Sequence, residues 1–451
     1  MKIQKQVPLT EGPILKSLTG LAVPIMISSF LGTLYNITDM AWIGLLGSKA
    51  VAAVGVGGMY VWLSQGLASL ARMGGQVHVA QCLGRGDKEQ AHRYAKTAVQ
   101  LSILLGLAFA AVSLLFTDPL VAFFKLEGVK TILDAKIYMR ITCGLILFSF
   151  LNLTLTGLYT AQGDSKTPFV ANFIGLLINL LLDPLLILGV GPFPRIEVAG
   201  AAVATVSAQL VVMLVMMVGV FRSKKEENVL KGIRLFEPFS KEELGNICKI
   251  GGPTAIQGMV YCMISMVLTR MVAAFGAEAI ATQRVGGQIE SVSWNTADGF
   301  AAALNAFVGQ NYGAKKMDRV QKGYRISFWT VAIWGVLIML AFIIFPGPIA
   351  GVFFHEEKAM EIAISYLIII GFSEAFMCVE LMTIGALSGL GKTKLCSVIS
   401  ITATSMRIPL AMVLSRTSLG LDGIWWALTL TSVAKGIIFY LTFRYQMREK
   451  C

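Results

Sequence analysis

Charged residues are scarce in this sequence. Only 14% of its 451 residues are Asp, Glu, Lys or Arg, whereas soluble domains carry about 25%. Hydrophobic residues make up 55% of the chain, and the mean hydropathy is +0.71. This composition excludes an ordinary soluble globular protein and indicates an integral membrane protein.

Cysteine and histidine are also sparse. The cysteines, at 82, 143, 248, 262, 378, 396 and 451, form no Cys-x-x-Cys pair, and His78, His92 and His355 stand near predicted helix ends or loops. This spacing predicts no metal site and no disulfide framework, and the histidines are expected to be solvated. A cleavable signal peptide is not expected, because the first apolar run starts late and is too long.

Motifs for ATP hydrolysis or enzyme catalysis are missing. GRGDKEQ and GLGKTK contain glycine and lysine but lack the G-x4-G-K-[ST] spacing, and neither follows a predicted strand. No nucleophile, base and orienting group can be assembled from the sequence motifs. We therefore expect a protein that is not an enzyme and that uses no cofactor.

Long apolar runs occupy most of the chain. About twelve are long enough to cross roughly 30 Å of hydrocarbon. Lys and Arg are concentrated in alternate connections, about 25 on one side against about 8 on the other, which is the positive-inside pattern. The net charge of +12 is thus explained without nucleic acid, and both termini are expected in the cytoplasm, with the protein in the plasma membrane.

The sequence repeats itself at an offset of about 229 residues. Pro24 matches Pro253, Gly47 matches Gly276, and AQCLGRGDKEQA recurs as GQNYGAKKMDRV. Because six helices return the chain to the same side, the repeat predicts two parallel lobes. We expect an all-α integral membrane fold of twelve transmembrane helices in two pseudo-symmetric six-helix lobes. The N-lobe covers 1–220, a cytoplasmic linker covers 221–240, and the C-lobe covers 241–451.

Two acids interrupt the apolar runs of the first lobe. Asp39 shares a helix face with Tyr35 and Asn36, and Asp183 follows Asn179 by four residues. A carboxylate at the centre of a membrane helix costs about 2.5 to 3.5 kcal/mol on insertion scales, and such acids are usually functional. Because converging carboxylates repel and lose hydration, one should hold a proton that an arriving cation displaces. The alternative is a satisfied buried carboxylate or, for Asp183, a helix end before the following proline.

These features resemble the multidrug and toxic compound extrusion (MATE) family across essentially the whole chain. The resemblance is carried by the repeat, VPI in the first helix, LGR and YGAKK after helices 2 and 8, AQGDSKTP, NLLLDP and GAAVAT. The chain is most similar to the prokaryotic branch of DNA-damage-inducible F proteins and archaeal members. The resemblance implies a monomeric exporter of amphipathic, mostly cationic drugs. It would work by alternating access coupled to H⁺, with Na⁺ as the alternative ion.

The resemblance also implies roles for individual residues. The N-lobe coupling site would contain Tyr35, Asp39, Tyr138, Asn179, Asp183 and Thr205, of which Asp39, Asn179, Asp183 and Thr205 could instead hold Na⁺. Pro24 matches the proline at which helix 1 is proposed to bend. Candidates for cargo contact are Asn36, Gln257, Met259, Arg284 and Glu290.

The second lobe leaves alternatives open. PTAIQGMVY offers Gln257 where other branches have a glutamate, which argues against a sodium site there. Glu374 and Glu380 could replace that glutamate or could pair with an arginine such as Arg407. Arg284 could be a snorkelling interfacial arginine, and Met259 could be ordinary packing.

Other functions also remain open. A flippase for lipids or lipid-linked oligosaccharides, from the same superfamily, needs Arg and Lys to hold a pyrophosphate, whereas the acids here favour positive cargo. A channel or membrane sensor fits the repeat less well, because a channel needs a continuous pore with selectivity rings.

The charge pattern makes a topological prediction. In a cysteine-free background, a single cysteine in the segment 224–249 should react with a membrane-impermeant maleimide only after the membrane is permeabilised, because this segment is expected in the cytoplasm. A cysteine at Lys125, in a connection predicted on the outer face, is the matched control and should react in intact cells. Labelling of the 224–249 segment in intact cells would show that the topology is wrong.

Overall fold

The computed structural model describes residues 7–126, 128–189, 194–223, 228–235, 237–238, 240–354 and 356–448. His355, Cys451 and parts of the predicted linker lie outside these ranges. All regular secondary structure in the described ranges is helical, as the sequence predicts. The first half contains α1 (Ile14–Gly44), α2 (Ser48–Arg85), α3 (Lys88–Leu115), α4 (Thr117–Ala122), α5 (Val129–Gly144), α6 (Leu147–Ala161), α7 (Lys166–Ile187) and α8 (Glu197–Arg222).

The second half repeats the first, helix by helix. It contains α9 (Lys241–Ala273), α10 (Ala277–Gly313), α11 (Met317–Ile344), α12 (Pro346–Gly351), α13 (Glu357–Gly371), α14 (Glu374–Gly389), α15 (Thr393–Ser405), α16 (Arg407–Leu414) and α17 (Leu421–Arg448). Even the six-residue helices α4 and α12 correspond. One difference is that α15 and α16 together stand in the place of α7.

The helices of the described ranges supply eleven candidate membrane spans, and the repeat indicates a twelfth. In the described ranges, nine stretches are long and apolar enough to cross a bilayer, one of them α15 with α16. Two further spans are bent pairs, α5 with α6 at 43° and α13 with α14 at 51°. The more polar α10 takes the place of α2 in the repeat and is the twelfth.

The sequence GRGDKEQ forms a helix boundary. Gly86 has φ +80°, a left-handed conformation that glycine adopts without strain, and it ends α2. Asp87 then caps α3, because its side chain accepts a hydrogen bond from the backbone N–H of Gln90 at 2.9 Å. This glycine and acid therefore set a tight turn between two spans.

The helices group into two compact units. In the described residues the N-unit contains Val7 and Ile27–Ala255, and the C-unit contains Pro8–Met26 and residues from Ile256 onwards. The first parts of α1 and α9 are therefore each grouped with the unit formed mainly by the other half of the chain. The lobes predicted from the repeat, 1–220 and 241–451, differ from these units at those two helix ends and stay a prediction.

Close backbone approach fixes the start of α9 within the N-unit. A Cβ atom on Gly251 would lie 1.9 Å from the backbone oxygen of Leu70, and one on Gly74 would lie 2.5 Å from that of Ile247. Because only glycine permits this spacing, α2 and α9 pack backbone against backbone. Asn246 adds two hydrogen bonds, donating to Tyr94 Oη at 3.0 Å and accepting from His78 Nε2 at 3.1 Å.

In the C-unit, α10 and α11 hold the chain segment before α1. Asn311 donates to the backbone oxygen of Leu9 at 3.0 Å. The guanidinium of Arg319 donates to the backbone oxygens of Glu11 and Gly12, each at 2.9 Å. Residues 9–12 are thus tied to α10 and α11 by carbonyl contacts that do not depend on their own side chains.

The described part of the linker is packed against α3. Gln100 donates to the backbone oxygens of Leu235 at 2.9 Å and Glu237 at 2.7 Å, and His92 Nδ1 donates to that of Val229 at 2.7 Å. Lys96 pairs with the Glu237 side chain at 2.8 Å, and this ammonium lowers the pKa of Glu237. The linker residues described here therefore belong to the N-unit.

The contact between α2 and α9 gives a test with an adjacent control. Gly251→Ala should lower the thermal stability of the purified protein, because overpacking costs about 1 to 3 kcal/mol. Gly252→Ala should leave stability close to that of the wild type, because no atom lies within 4 Å of a Cβ there. Thermal unfolding in detergent measures both, and equal melting temperatures for the two variants would contradict the packing described.

Candidate functional site

Four helices of the N-unit bring the predicted coupling residues together. Helix α1 supplies Tyr35 and Asp39, α7 supplies Asn179 and Asp183, α5 supplies Tyr138, and α8 supplies Thr205. Tyr35 lies close enough to Asp39, Asp183 and Tyr138 to interact electrostatically with each, and its hydroxyl lies beside that of Thr205. The two acids interact with each other as well. The structure thus gathers all six residues that the family resemblance implies.

The acids of this cluster are buried and incompletely hydrogen-bonded. Asp39 is 7% exposed and Asp183 is fully buried. Asn179 Nδ2 donates to Asp183 Oδ1 at 3.1 Å. Within the described residues, hydrogen-bond partners are missing for four buried oxygens, namely Asp39 Oδ1, Asn179 Oδ1, Asp183 Oδ2 and Thr205 Oγ1. Buried polar atoms are normally satisfied, so this set is suited to a proton or a small cation.

Tyr138 is held in the cluster by a glycine of α2. A Cβ atom on Gly57 would lie 2.4 Å from Tyr138 Cδ1, so the ring occupies the space that a side chain would fill. The C-unit repeats the arrangement, since a Cβ on Gly286 would lie 2.2 Å from a ring carbon of Tyr366. Each unit therefore packs a tyrosine against a glycine of its second spanning helix.

The predicted cargo residues do not form one cluster. Asn36 is exposed in the N-unit, and Arg284 is exposed on α10. Gln257 accepts a hydrogen bond from Ser397 at 3.1 Å, and Met259 is half-buried. Glu290 accepts a short hydrogen bond from the Tyr366 hydroxyl. The role of these five residues in cargo binding stays a prediction.

Helices α10, α13, α14 and α16 assemble a second set of ionisable groups in the C-unit. Glu290 interacts with both Glu374 and Arg407. Glu374 is 1% exposed, and its Oε2 has no hydrogen-bond partner in the described part of the chain. Arg407 donates to Thr431 Oγ1 at 3.1 Å and to Ser432 Oγ at 2.9 Å. The C-unit therefore surrounds one acid pair with an arginine and hydroxyl groups.

Glu380 pairs with Lys435, and not with Arg407 as the sequence analysis considered. Lys435 Nζ lies 2.8 Å from Glu380 Oε1, and both side chains are buried, at 6% and 7% exposure. This ion pair joins α14 to α17. Because each charge neutralises the other, Glu380 has a structural role in this ion pair. Glu374 forms no ion pair in the described residues.

Sequence reasoning missed two of these residues and described two others incorrectly. Tyr366 could have been found from the repeat, since it corresponds to Tyr138. Lys435 is a charged residue inside the last apolar run, which is itself a signal of function or pairing. His78 and His92 are not merely solvated, because both bond to backbone oxygens and His78 also stacks on Tyr94 at 4.5 Å.

Twelve spanning helices in two repeats, with acids buried inside them, are the architecture of a membrane transporter. The MatE family model matches residues 24–185 and 253–413, one segment in each repeat. The chain belongs to the MatE family, as the sequence predicted, and it is a multi-pass membrane transporter and not an enzyme.

Known proteins resemble the chain over nearly its full length. It is 29% identical to the probable multidrug resistance protein NorM of Thermotoga maritima, covering 98% of this chain and 95% of that protein. It is 25% identical to an FAD transporter of Shewanella oneidensis, covering 96% and 95%. A solved MOP superfamily transporter from Pyrococcus furiosus has a TM-score of 0.90 at 24% identity, covering 99% of each chain. The predicted fold is confirmed.

The buried ion pair between α14 and α17 predicts a strong effect on stability. Glu380→Gln should destabilise the protein by about 3 to 5 kcal/mol, because it leaves Lys435 buried without a counter-charge. The double variant Glu380→Gln, Lys435→Met should recover most of that loss. Thermal unfolding in detergent measures both.

A matched control is the pair of the exposed Lys358 and the half-buried Glu278, at 3.7 Å. Lys358→Met should change stability little, because solvent screens exposed pairs. If Glu380→Gln unfolds no earlier than Lys358→Met, the buried pair is not the structural link described.

Proposed function

We propose that this transporter exports amphipathic, mostly cationic drugs from the cell by alternating access, in exchange for protons. The coupling site is the N-unit cluster around Asp39 and Asp183. The protein works as a monomer in the plasma membrane with both termini in the cytoplasm. The observation that carries the proposal is the set of four buried oxygens without partners, contributed by three helices, at two interacting acids.

Electrostatics explains how such a site couples two movements. Two carboxylates in a low-dielectric environment repel, and burial also disfavours their charged forms. Binding of one proton removes the repulsion, and release of that proton leaves a charge that attracts a cation. An ion can drive the transporter only if it binds one conformation more tightly than the other. The helices that carry these acids must therefore differ in position between the two conformations.

Helix α1 has a feature suited to such a change. Pro24 lies inside α1, where a proline removes a backbone hydrogen bond and weakens the helix. The division between the two compact units falls between Met26 and Ile27, two residues after this proline. Asp39 lies fifteen residues after Pro24 on the same helix. Protonation of Asp39 is proposed to change the packing of the part of α1 that follows Pro24, with the bend at Pro24.

Sodium is the alternative coupling ion. Na⁺ is a hard cation, and carboxylate, amide and hydroxyl oxygens suit hard cations. Asp39, Asp183, Asn179 and Thr205 would supply these oxygens, since each has one buried oxygen without a partner in the described chain. The same donors also suit a proton, so the coupling ion must be tested directly.

Anions are a second candidate class of cargo, suggested by the name of one relative. One relative is named an FAD transporter, and FAD carries a diphosphate and is therefore an anion. A flippase for lipids or lipid-linked oligosaccharides would also require an anion site. The two buried acids of the N-unit favour cations, which is why drug export stands first.

Asp39→Asn tests the coupling site. The amide mimics the protonated acid but cannot release a proton, so coupled efflux of a cationic dye such as ethidium should fall to background while dye binding remains. Asp183→Asn should have a similar but milder effect, since one acid of the pair stays. Efflux is measured in proteoliposomes with a proton gradient or a sodium gradient, each imposed alone.

The control is Asp134→Asn, which removes a carboxylate of α5 outside the cluster and should leave efflux unchanged. Full gradient-driven efflux by a correctly inserted Asp39→Asn protein would show that this acid is structural. Efflux that is driven only by the sodium gradient would show that Na⁺, and not the proton, is the coupling ion. Protection of cells against anionic compounds alone would favour the flippase.

A further inference from the structure

Arg72 is a cation of the N-unit that the coupling site does not use. It lies in α2, about 8 Å along the axis from the middle of the helix at 1.5 Å per residue. Its side chain is half-buried, and its buried Nε has no hydrogen-bond partner in the described residues. Among the same residues, the ion pairs found do not include Arg72. Arginine at membrane depth without a counter-charge is costly and is commonly functional.

Arg72 lies at the end of an exposed stripe along α2. Gly58, Trp62, Gln65, Ser69 and Arg72 follow one another at alternating spacings of four and three residues, which places them on one helix face. Gly58, Trp62 and Gln65 are exposed, and Ser69 and Arg72 are half-buried. The stripe thus runs from an aromatic ring through two polar side chains to the arginine.

Exposed faces of two other spanning helices have a different composition. The exposed face of α3 presents Leu104, Leu107 and Leu115, and that of α11 presents Ile333 and Leu337. These stripes are purely apolar, as hydrocarbon requires. Because the α2 stripe carries an amide, a hydroxyl and a guanidinium, we infer that it faces a water-filled or cargo-filled path.

The repeat shows that packing does not require an arginine here. A Cβ atom on Gly157 of α6 would lie 2.9 Å from Arg72 Cγ, so the arginine stem crosses this glycine closely. The corresponding crossing in the C-unit pairs Gly385 of α14 with Ala301, where a Cβ on Gly385 would lie 2.2 Å from the Ala301 backbone oxygen. The same helix crossing therefore forms with alanine in one unit and arginine in the other.

We propose that Arg72 binds an anionic group of the exported molecule, a carboxylate or a phosphate. Guanidinium binds both groups through paired, charge-assisted hydrogen bonds. Trp62 lies on the same stripe, between two and three helical turns from Arg72. Its ring offers an aromatic face for the apolar part of an amphipathic molecule. Zwitterionic and anionic amphipaths are then cargo beside cations. This inference rests on the proposed export function and narrows its substrate class.

The acid cluster does not neutralise this arginine. Asp39 is five residues from the end of α1 at Gly44, beside the start of α2. Arg72 is 24 residues from that start, about 36 Å along α2. The two charges therefore lie towards opposite ends of the N-unit, and a cargo anion at Arg72 would not compete with the proton at Asp39.

Two dyes that differ by one methyl ester test the proposal. Rhodamine 110 carries a free carboxylate, and rhodamine 123 is its methyl ester. Arg72→Gln should weaken binding and efflux of rhodamine 110 by about tenfold or more, as expected for loss of a charged hydrogen bond. Rhodamine 123 should change by less than about twofold by the same reasoning. Arg72→Lys should give an intermediate loss for rhodamine 110 only.

Binding is measured on purified protein in detergent without a gradient, and efflux is measured in proteoliposomes. Arg325→Gln removes an exposed arginine of α11 in the C-unit and should alter neither dye. Equal loss of both dyes on Arg72→Gln, or loss of neither, would overturn the proposal. If Arg72→Gln does not fold, the Arg72→Lys variant serves instead: a loss for rhodamine 110 only supports the proposal, and equal loss of both dyes or loss of neither overturns it. If binding of rhodamine 110 depends on Arg72 but neither dye is exported by the wild type, the result would support anion binding at Arg72 and count against the export function.

Discussion

The cost of burying charge is the constraint on which the rest of this structure depends. A membrane protein can keep a carboxylate inside its helices only if another group compensates it, and this chain uses two solutions. Glu380 is neutralised by Lys435 at 2.8 Å and joins two helices. Asp39 and Asp183 lie close to each other, Asp183 accepts one hydrogen bond from the Asn179 amide, and several oxygens of the site have no partner in the described chain. The first solution gives rigidity, whereas the second leaves a site whose charge state can change.

The internal repeat supplies the framework for both solutions. In each unit a tyrosine ring packs on a glycine of the second spanning helix, Tyr138 on Gly57 and Tyr366 on Gly286. The acids around these rings come from different places, since the N-unit uses α1 and α7 and the C-unit uses α10 and α14. Duplication thus kept the apolar packing, and the polar residues diverged within it. An asymmetric distribution of charge on a symmetric scaffold allows the two units to do different work.

Much of this arrangement could be predicted from the sequence. The repeat and the apolar runs predicted twelve spans, because the length of a span is fixed by the bilayer. The pairing of Tyr35 with Asp39 and of Asn179 with Asp183 follows from helical spacing. Tyr138 and Thr205 came only from the family resemblance, since no spacing rule connects helices distant in sequence. Lys435 was missed as the partner of Glu380 for the same reason, because it is 55 residues away.

The exchanged helix ends have a consequence for how the chain assembles. Pro8–Met26 is made first, yet its contacts are with α10 and α11, about 300 residues later. The N-unit in turn is completed only when residues 241–255 have been synthesised. Neither half can finish its packing before the other is present in the membrane. A ribosome that stops between the repeats would therefore leave a half-protein in which residues 8–26, which include the first part of α1, lack the C-unit residues that they pack against.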